Sequence, residues 1–202
     1  MIQFFRLKGK RTTYLSLLLF SLFFISTCAY SQEKYEKEYR IKTAKVPQAA
    51  LEFIHSVGFA KKVKWYKEEG LTGNSIEAKT KHRETIYSIE FNTAGEIEDV
   101  EYIIQWQDIP ALTRAKIERL LDSIYQKKRL VKIQVQLTGK KEELLQAIVE
   151  PQADRNLNTQ YEIVLNGVRK GIYERYEHLF SQNGEMIRES KIILKNTDHL
   201  EY

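Results

Sequence analysis

This 202-residue chain holds one cysteine, three prolines and four histidines. The one cysteine, Cys28, falls within the first 31 residues, so the stretch that follows has none. A structural disulfide, a thiol nucleophile and a cysteine-bound zinc are therefore excluded there. His55, His82, His178 and His199 never stand two, three or four positions apart, so no local metal-binding pair is present. Glycine, with nine residues, is sparse and sits mostly at turns. No G-x-S-x-G elbow, S-x-x-K motif, Walker-type loop or D-x-[DN]-x-[DN]-G calcium loop occurs. These absences point away from an enzyme, a metal centre and a bound cofactor.

A basic excess is missing too, once the N-terminus is set aside. Arg6, Lys8, Lys10 and Arg11 precede the apolar run LSLLLFSLFFI over residues 15–25, and Ala29 and Ser31 suit the −3 and −1 positions of a cleavage site. Residues 1–31 thus read as a secretory signal peptide, because the apolar run is shorter than the roughly 20 residues that span a bilayer. An alternative is a relaxed lipobox, Ile25-Ser26-Thr27-Cys28, with lipidation at Cys28 and membrane contact through that lipid only. The expected location is periplasmic or extracellular, or the outer envelope for a lipoprotein. The leader carries four of 32 basic and none of 27 acidic residues, leaving 28 against 27. A formal charge of +1 gives no electrostatic case for nucleic-acid binding.

Residues 32–45, QEKYEKEYRIKTAK, are charged and read as a solvated lead-in. After Val46-Pro47, the spacing of Ala50, Leu51, Ile54 and Val57 predicts a short amphipathic helix that Gly58 ends. Period-two alternation then predicts strands at KVKWYKEEG, SIEAKTK, TIYSIEFN and Glu96–Ile104. The order repeats after Ile109-Pro110: a longer helix through Leu112, Ile117, Leu121 and Ile124, the strand LVKIQVQL, a hairpin, and a glycine turn into EMIRESKIIL. An insertion at about residues 138–158 includes KEELLQAIV, which suits a short helix. At an offset of 89, YSIEFNTAGEIEDVEYII (87–104) and YEHLFSQNGEMIRESKII (176–193) agree at six of eighteen positions. Composition alone gives about one. The expected fold is α+β, in two tandem repeats, each a helix packed on one face of an antiparallel sheet of about four strands. The first repeat covers 46–106 and the second 107–195, with a tail at 196–202.

Val46-Pro47, VKW at 63–65 and YSIEFNTAGEI together resemble the PepSY-like domains of secreted Bacteroidetes proteins. The tandem order is similar to the secreted β-lactamase-inhibitor proteins. The resemblance spans residues 46–104 well and 109–194 weakly. Asn92 stands where aspartate is commoner, the second repeat has no tryptophan in its first strand, and His178 replaces the aliphatic residue found at Ile89. What the resemblance implies is a scaffold for binding or inhibition rather than catalysis.

Aromatic side chains on strands then supply the candidate site. Tyr66 alternates with Val63 and Trp65, and Tyr173 with Tyr176 and Phe180, so both tyrosines point away from the core face. With Lys64, Arg175 and His178 they form the expected surface for an unidentified envelope or secreted protein, because Tyr, Trp and Arg often dominate such contacts. The competing explanations are that the tyrosines fill a seam between the repeats and that His178 is a packed, hydrogen-bonded core residue. Glu96, Glu98, Asp99 and Glu101 read as a solvated face. The function expected is a secreted, non-enzymatic binding module, inhibitory or not. A small-ligand or lipid-binding envelope protein, with a pocket between helix and sheet, is the alternative.

Overall fold

A computed structural model describes residues 32–59, 61–70, 73–150 and 157–194. The leader, Cys28 and the 196–202 tail lie outside the described residues. Among the described residues, nine strands follow one another around a single sheet. They are β1 (Gln32–Ile41), β2 (Lys64–Glu69), β3 (Asn74–His82), β4 (Thr85–Asn92), β5 (Ile97–Ile103), β6 (Lys127–Thr138), β7 (Asn158–Arg169), β8 (Ile172–Ser181) and β9 (Met186–Leu194). Each pairs antiparallel with the next. Residues 32–36 of β1 also pair in parallel with Ser190–Leu194 of β9, closing the ladder into a barrel. Three helices accompany it: α1 (Gln48–Val57), α2 (Ala111–Ile124) and α3 (Lys141–Val149).

This corrects the expectation of two tandem helix-on-four-strand repeats. The ladder does not break between the halves, because Val100–Ile103 of β5 pair with Leu137–Gln134 of β6. The supposed lead-in is itself β1. Its C-terminal half pairs with β2, supported by Lys37 Nζ on Glu69 at 3.4 Å and Tyr39 Oη donating to Glu69 at 2.8 Å.

All three helices serve one face of the sheet. α1 enters through Pro47 and ends at Gly58 in the left-handed region, as its sequence dictates. α3 begins with the Glu143 carboxylate accepting from the Lys140 N–H at 3.3 Å. Ala50 and Phe53 of α1, Ile117 and Leu121 of α2, and Leu144 and Ile148 of α3 are buried in one cluster with Trp65, Ile89, Phe91, Val100, Ile163, Leu165 and Phe180. Each of the leucine, isoleucine, valine and phenylalanine side chains contributes about 1.5–3 kcal/mol by leaving water.

The repeated motif has a structural reason. Gly95 and Gly184 both take positive φ, 87° and 80°, at the tips of the β4–β5 and β8–β9 turns. Each tip presses on the first turn of a helix. A Cβ on Gly95 would lie 3.0 Å from the Ala50 nitrogen, and one on Gly184 would lie 2.9 Å from the Thr113 carbonyl oxygen. Gly58 also has positive φ, but nothing lies within 4 Å of its would-be Cβ. Alanine at Gly58 is therefore expected to cost about 1 kcal/mol from backbone strain. Alanine at Gly95 or Gly184 adds overlap with backbone atoms that cannot rotate away, for a loss of about 2–3 kcal/mol. Urea midpoints of the three variants check this, and equal losses at all three would refute the helix contact.

Candidate functional site

The sheet face turned from the helices is polar, and much of it is nevertheless buried. Cross-strand register places Tyr66 beside Glu77, Glu77 beside Glu90, Glu90 beside Asp99 and Ser88 beside Glu101. It continues with Glu101 beside Gln136, Gln134 beside Glu162, Val164 beside Glu177 and Asn166 beside Arg175. Glu77, Asp99, Glu101, Gln134, Glu162, Asn166, Glu177 and Ser190 are all buried. Alternation that reads as solvent-facing sequence thus lines a face whose carboxylates and amides are largely buried, while Lys79, Lys132 and Arg188 stay part-exposed.

Charge pairs satisfy much of it. Lys79 Nζ lies 2.9 Å from Glu77 and 2.8 Å from Glu38, and sits over the Tyr66 ring at 4.9 Å from its centroid. Burial pulls the Lys79 ammonium down, but the Glu77 and Glu38 carboxylates more than offset this, so it ends above the usual lysine range. Lys132 pairs with Glu162 at 3.2 Å, and Arg188 with Glu177 at 3.4 Å. Arg175 Nε donates to the Asn166 Oδ1 at 2.9 Å. Gln134 Nε2 donates to Glu101, and Gln136 Nε2 donates to both Asp99 and Glu101 at 3.2 Å.

Glu90, Asp99 and Glu101 are the group among the described residues with oxygen atoms close enough to share one metal ion. Burial, followed by the carboxylates of Glu101, Glu162, Glu98 and Glu77, holds the Asp99 carboxyl well above its usual range. Of Glu96, Glu98, Asp99 and Glu101, expected on a solvated face, Asp99 and Glu101 are instead buried. The alternation Asp99-x-Glu101 puts them on one side of β5, but does not reveal that burial.

At one end of the barrel the same face becomes apolar and open. Ile86, Ile103 and Tyr173 are exposed there, Tyr173 by 64%, and Val131 is exposed beside them. Pairing of Tyr87 with Tyr102 sets Ile86 next to Ile103 at this end. Gln134 is level with Ile103, and Lys127 with Val168 and Tyr173, so Val131 and then Tyr173 lie farther out toward the same strand ends. Val131 is unpaired in a bulge between Leu130 and Lys132.

Four of the five expected site residues share this face. Lys64 is exposed and Tyr66 half-buried on β2, while Tyr173 and Arg175 lie on β8. Tyr66 belongs to the charged pairs, and Tyr173 to the exposed rim. His178 does not belong with them: it lies on the helix face with no exposure, so a partner on the polar face cannot touch it. Its Nε2 is hydrogen-bonded to the Tyr125 hydroxyl at 2.8 Å, and its Nδ1 is 3.9 Å from Glu189 Oε2. Gly167 makes room for this arrangement, since a Cβ there would sit 2.4 Å from a Tyr125 ring carbon. The sequence signal was Tyr176-x-His178-x-Phe180, which shares the period of the core.

Two pockets open elsewhere. One of about 360 Å³ lies between α1, α3 and the β4–β5 turn, lined by Ala49, Phe53, Gly95, Glu96, Ile97 and Lys141. The other, about 500 Å³, is lined by residues 40–43 and 62–65.

Fold and site define a closed nine-stranded sheet with helices on one face and a charged, partly enclosed surface on the other. No family model matches the sequence, and no curated protein matches it. Among solved structures, the chain is similar to a DUF2874 family protein from Bacteroides ovatus, with TM-score 0.50 and 10% identity over 72% of this chain and 87% of that one. A BLIP-like protein from Bacteroides fragilis gives TM-score 0.47 and 13% identity over 77% and 92%. The first likeness shows a shared fold. The tandem PepSY-like assignment finds no matching family model.

Proposed function

We propose that the chain is an exported, non-enzymatic binding module whose protein partner docks on the open end of the polar sheet face. The observation that carries this is the exposure of Ile86 and Ile103, neighbours across β4–β5, and of Val131 and Tyr173 farther along toward the same strand ends, beside a face of paired charges. An apolar centre beside ordered charges is the composition of a protein-binding patch. The leader read at residues 1–31 supports export. Inhibition of the bound protein is one form that such docking takes. The pockets favour a lipid or small ligand less, because both are open to solvent and bordered by lysine side chains.

Affinity capture from the native envelope tests the reading. The wild-type chain is expected to retain a stoichiometric protein, and the double variant Ile86→Glu, Tyr173→Ala to lose it by tenfold or more (about 1.4 kcal/mol per tenfold). Both positions are exposed, so the variant should fold normally. Undiminished capture by a folded double variant would refute the assigned surface.

A further inference from the structure

The pairing of Arg40 with Tyr66 and of Ile41 with Trp65 sets the end of β1 beside the start of β2. The pocket of about 500 Å³ opens there, where the chain leaves one strand and enters the other. Arg40, Lys42, Lys62 and Lys64 line it, and no carboxylate does. All four are exposed, and among the described residues none makes a side-chain hydrogen bond or an ion pair.

Several cations elsewhere on this sheet face are paired. Lys79 meets Glu77 and Glu38, Lys132 meets Glu162, and Arg188 meets Glu177. Glu38, two positions before Arg40, is thus already held. The stretch after residue 31 is nearly balanced in charge, so four unanswered cations around one pocket are a local surplus and not a property of the whole chain. Like charges held together repel, and an anion among them relieves the repulsion.

We infer that this pocket binds a phosphate-bearing group. One carboxylate would leave most of the four charges unanswered, whereas a phosphate monoester carries about two negative charges and three strong acceptor oxygens. The Arg40 guanidinium offers the planar fork that matches phosphate, and the three lysines supply point charges around it. Half-buried Ile41 and Val63, with buried Trp65, form the apolar part of the wall, which strengthens ion pairs beside it. The volume is that of a small-molecule site and exceeds a bare phosphate, leaving room for the glycerol or sugar that bears it. The lysine border that disfavours an apolar ligand suits this one. A phospholipid headgroup and a soluble phosphate ester share the chemistry. The site is separate from the docking surface proposed above and does not rest on it.

The protein is titrated with sodium pyrophosphate by calorimetry, and separately sedimented with vesicles of phosphatidylglycerol and phosphatidylcholine in equal parts. One equivalent of pyrophosphate is expected to bind with a midpoint of about 1 mM or tighter, and more weakly as sodium chloride is raised. The double variant Lys42→Gln, Lys62→Gln should weaken binding at least tenfold. Both positions are exposed and outside the strands, so its melting temperature should match wild type. Lys116→Gln with Arg119→Gln removes the same charge from an exposed face of α2 and should leave binding unchanged. Pelleting with the vesicles that the pocket variant loses and the α2 variant keeps supports the site with a lipid headgroup as the source. Pyrophosphate binding without pelleting supports it with a soluble phosphate ester as the source. No pelleting together with no heat up to about 10 mM pyrophosphate would overturn the inference. So would wild-type affinity in the pocket variant, or equal weakening in both double variants, since bulk charge would then explain the binding.

Discussion

Alanine at Phe91 or Phe180 is expected to remove about 3–5 kcal/mol of stability, enough to unfold a domain of ordinary stability near its margin. Both rings are fully buried at matched positions of the repeated motif. Phe91 packs edge-on against Phe53 of α1 at 5.7 Å between centroids and tilts against Trp65 at 6.0 Å. Phe180 lies against the His178 ring at 5.9 Å. Each is the residue where its strand meets a bulge, between Glu90 and Phe91 and between Leu179 and Phe180. The backbone there is pinned by the following turn, so the surroundings have little freedom to collapse into the cavity. Denaturant midpoints measure the loss. A cost below about 1.5 kcal/mol at either position would mean that the site repacks and that the ring is not a keystone.

Acid should destabilise the protein through His178 by up to about 3 kcal/mol between pH 6.5 and 4. Burial is the main cause: it pushes the imidazole from its usual 6.5 down to about 4. Glu189 opposes that shift from 3.9 Å, while Arg169, bonded to Glu189 at 2.7 Å, reinforces it. The more distant Glu177 also favours the charged form. Tyr125 holds the other ring nitrogen, and the rings of Tyr176 and Phe180 flank it. Between pH 6.5 and 4 the unfolded chain binds a proton here that the folded chain does not, so stability rises with pH across that window and is complete above it. Asp99 acts in the opposite sense, because its carboxyl is raised and the folded chain takes up its proton first. The difference between wild type and His178→Gln isolates the histidine, since Asp99 is common to both. That difference should shrink as pH falls from 7 to 4; a constant difference would mean that His178 titrates normally.

Period-two alternation exposed most of the strands, and the i, i+3, i+4 spacing exposed α1 and α2, because both signals are local. The pairing of β5 with β6 is not local. Nothing in Val100–Ile103 or Gln134–Leu137 says that these segments meet, so one sheet was read as two. β1 was missed for a related reason. QEKYEKEYRI has charge on both sides, and its support comes from Glu69, about thirty residues onward. The site was half legible. Alternation put Tyr66, Tyr173, Arg175 and the acids on one side, but whether that side is wet or enclosed depends on how the ladder curves. His178 shows the converse: its place in the core rhythm was visible, and its contact with Tyr125, 53 positions away, was not.

The parallel seam between β1 and β9 has a consequence for how anything can bind. A sheet with an unpaired outer strand invites a peptide to lengthen it through main-chain hydrogen bonds, whether as a ligand or as the start of aggregation. Here residues 32–36 of β1 and 190–194 of β9 occupy each other's edge, and that route is closed along this stretch. The docking proposed above accordingly uses side chains rather than strand addition at this seam. The seam also joins strands from opposite ends of the described stretch, so it is the least local pairing in the sheet.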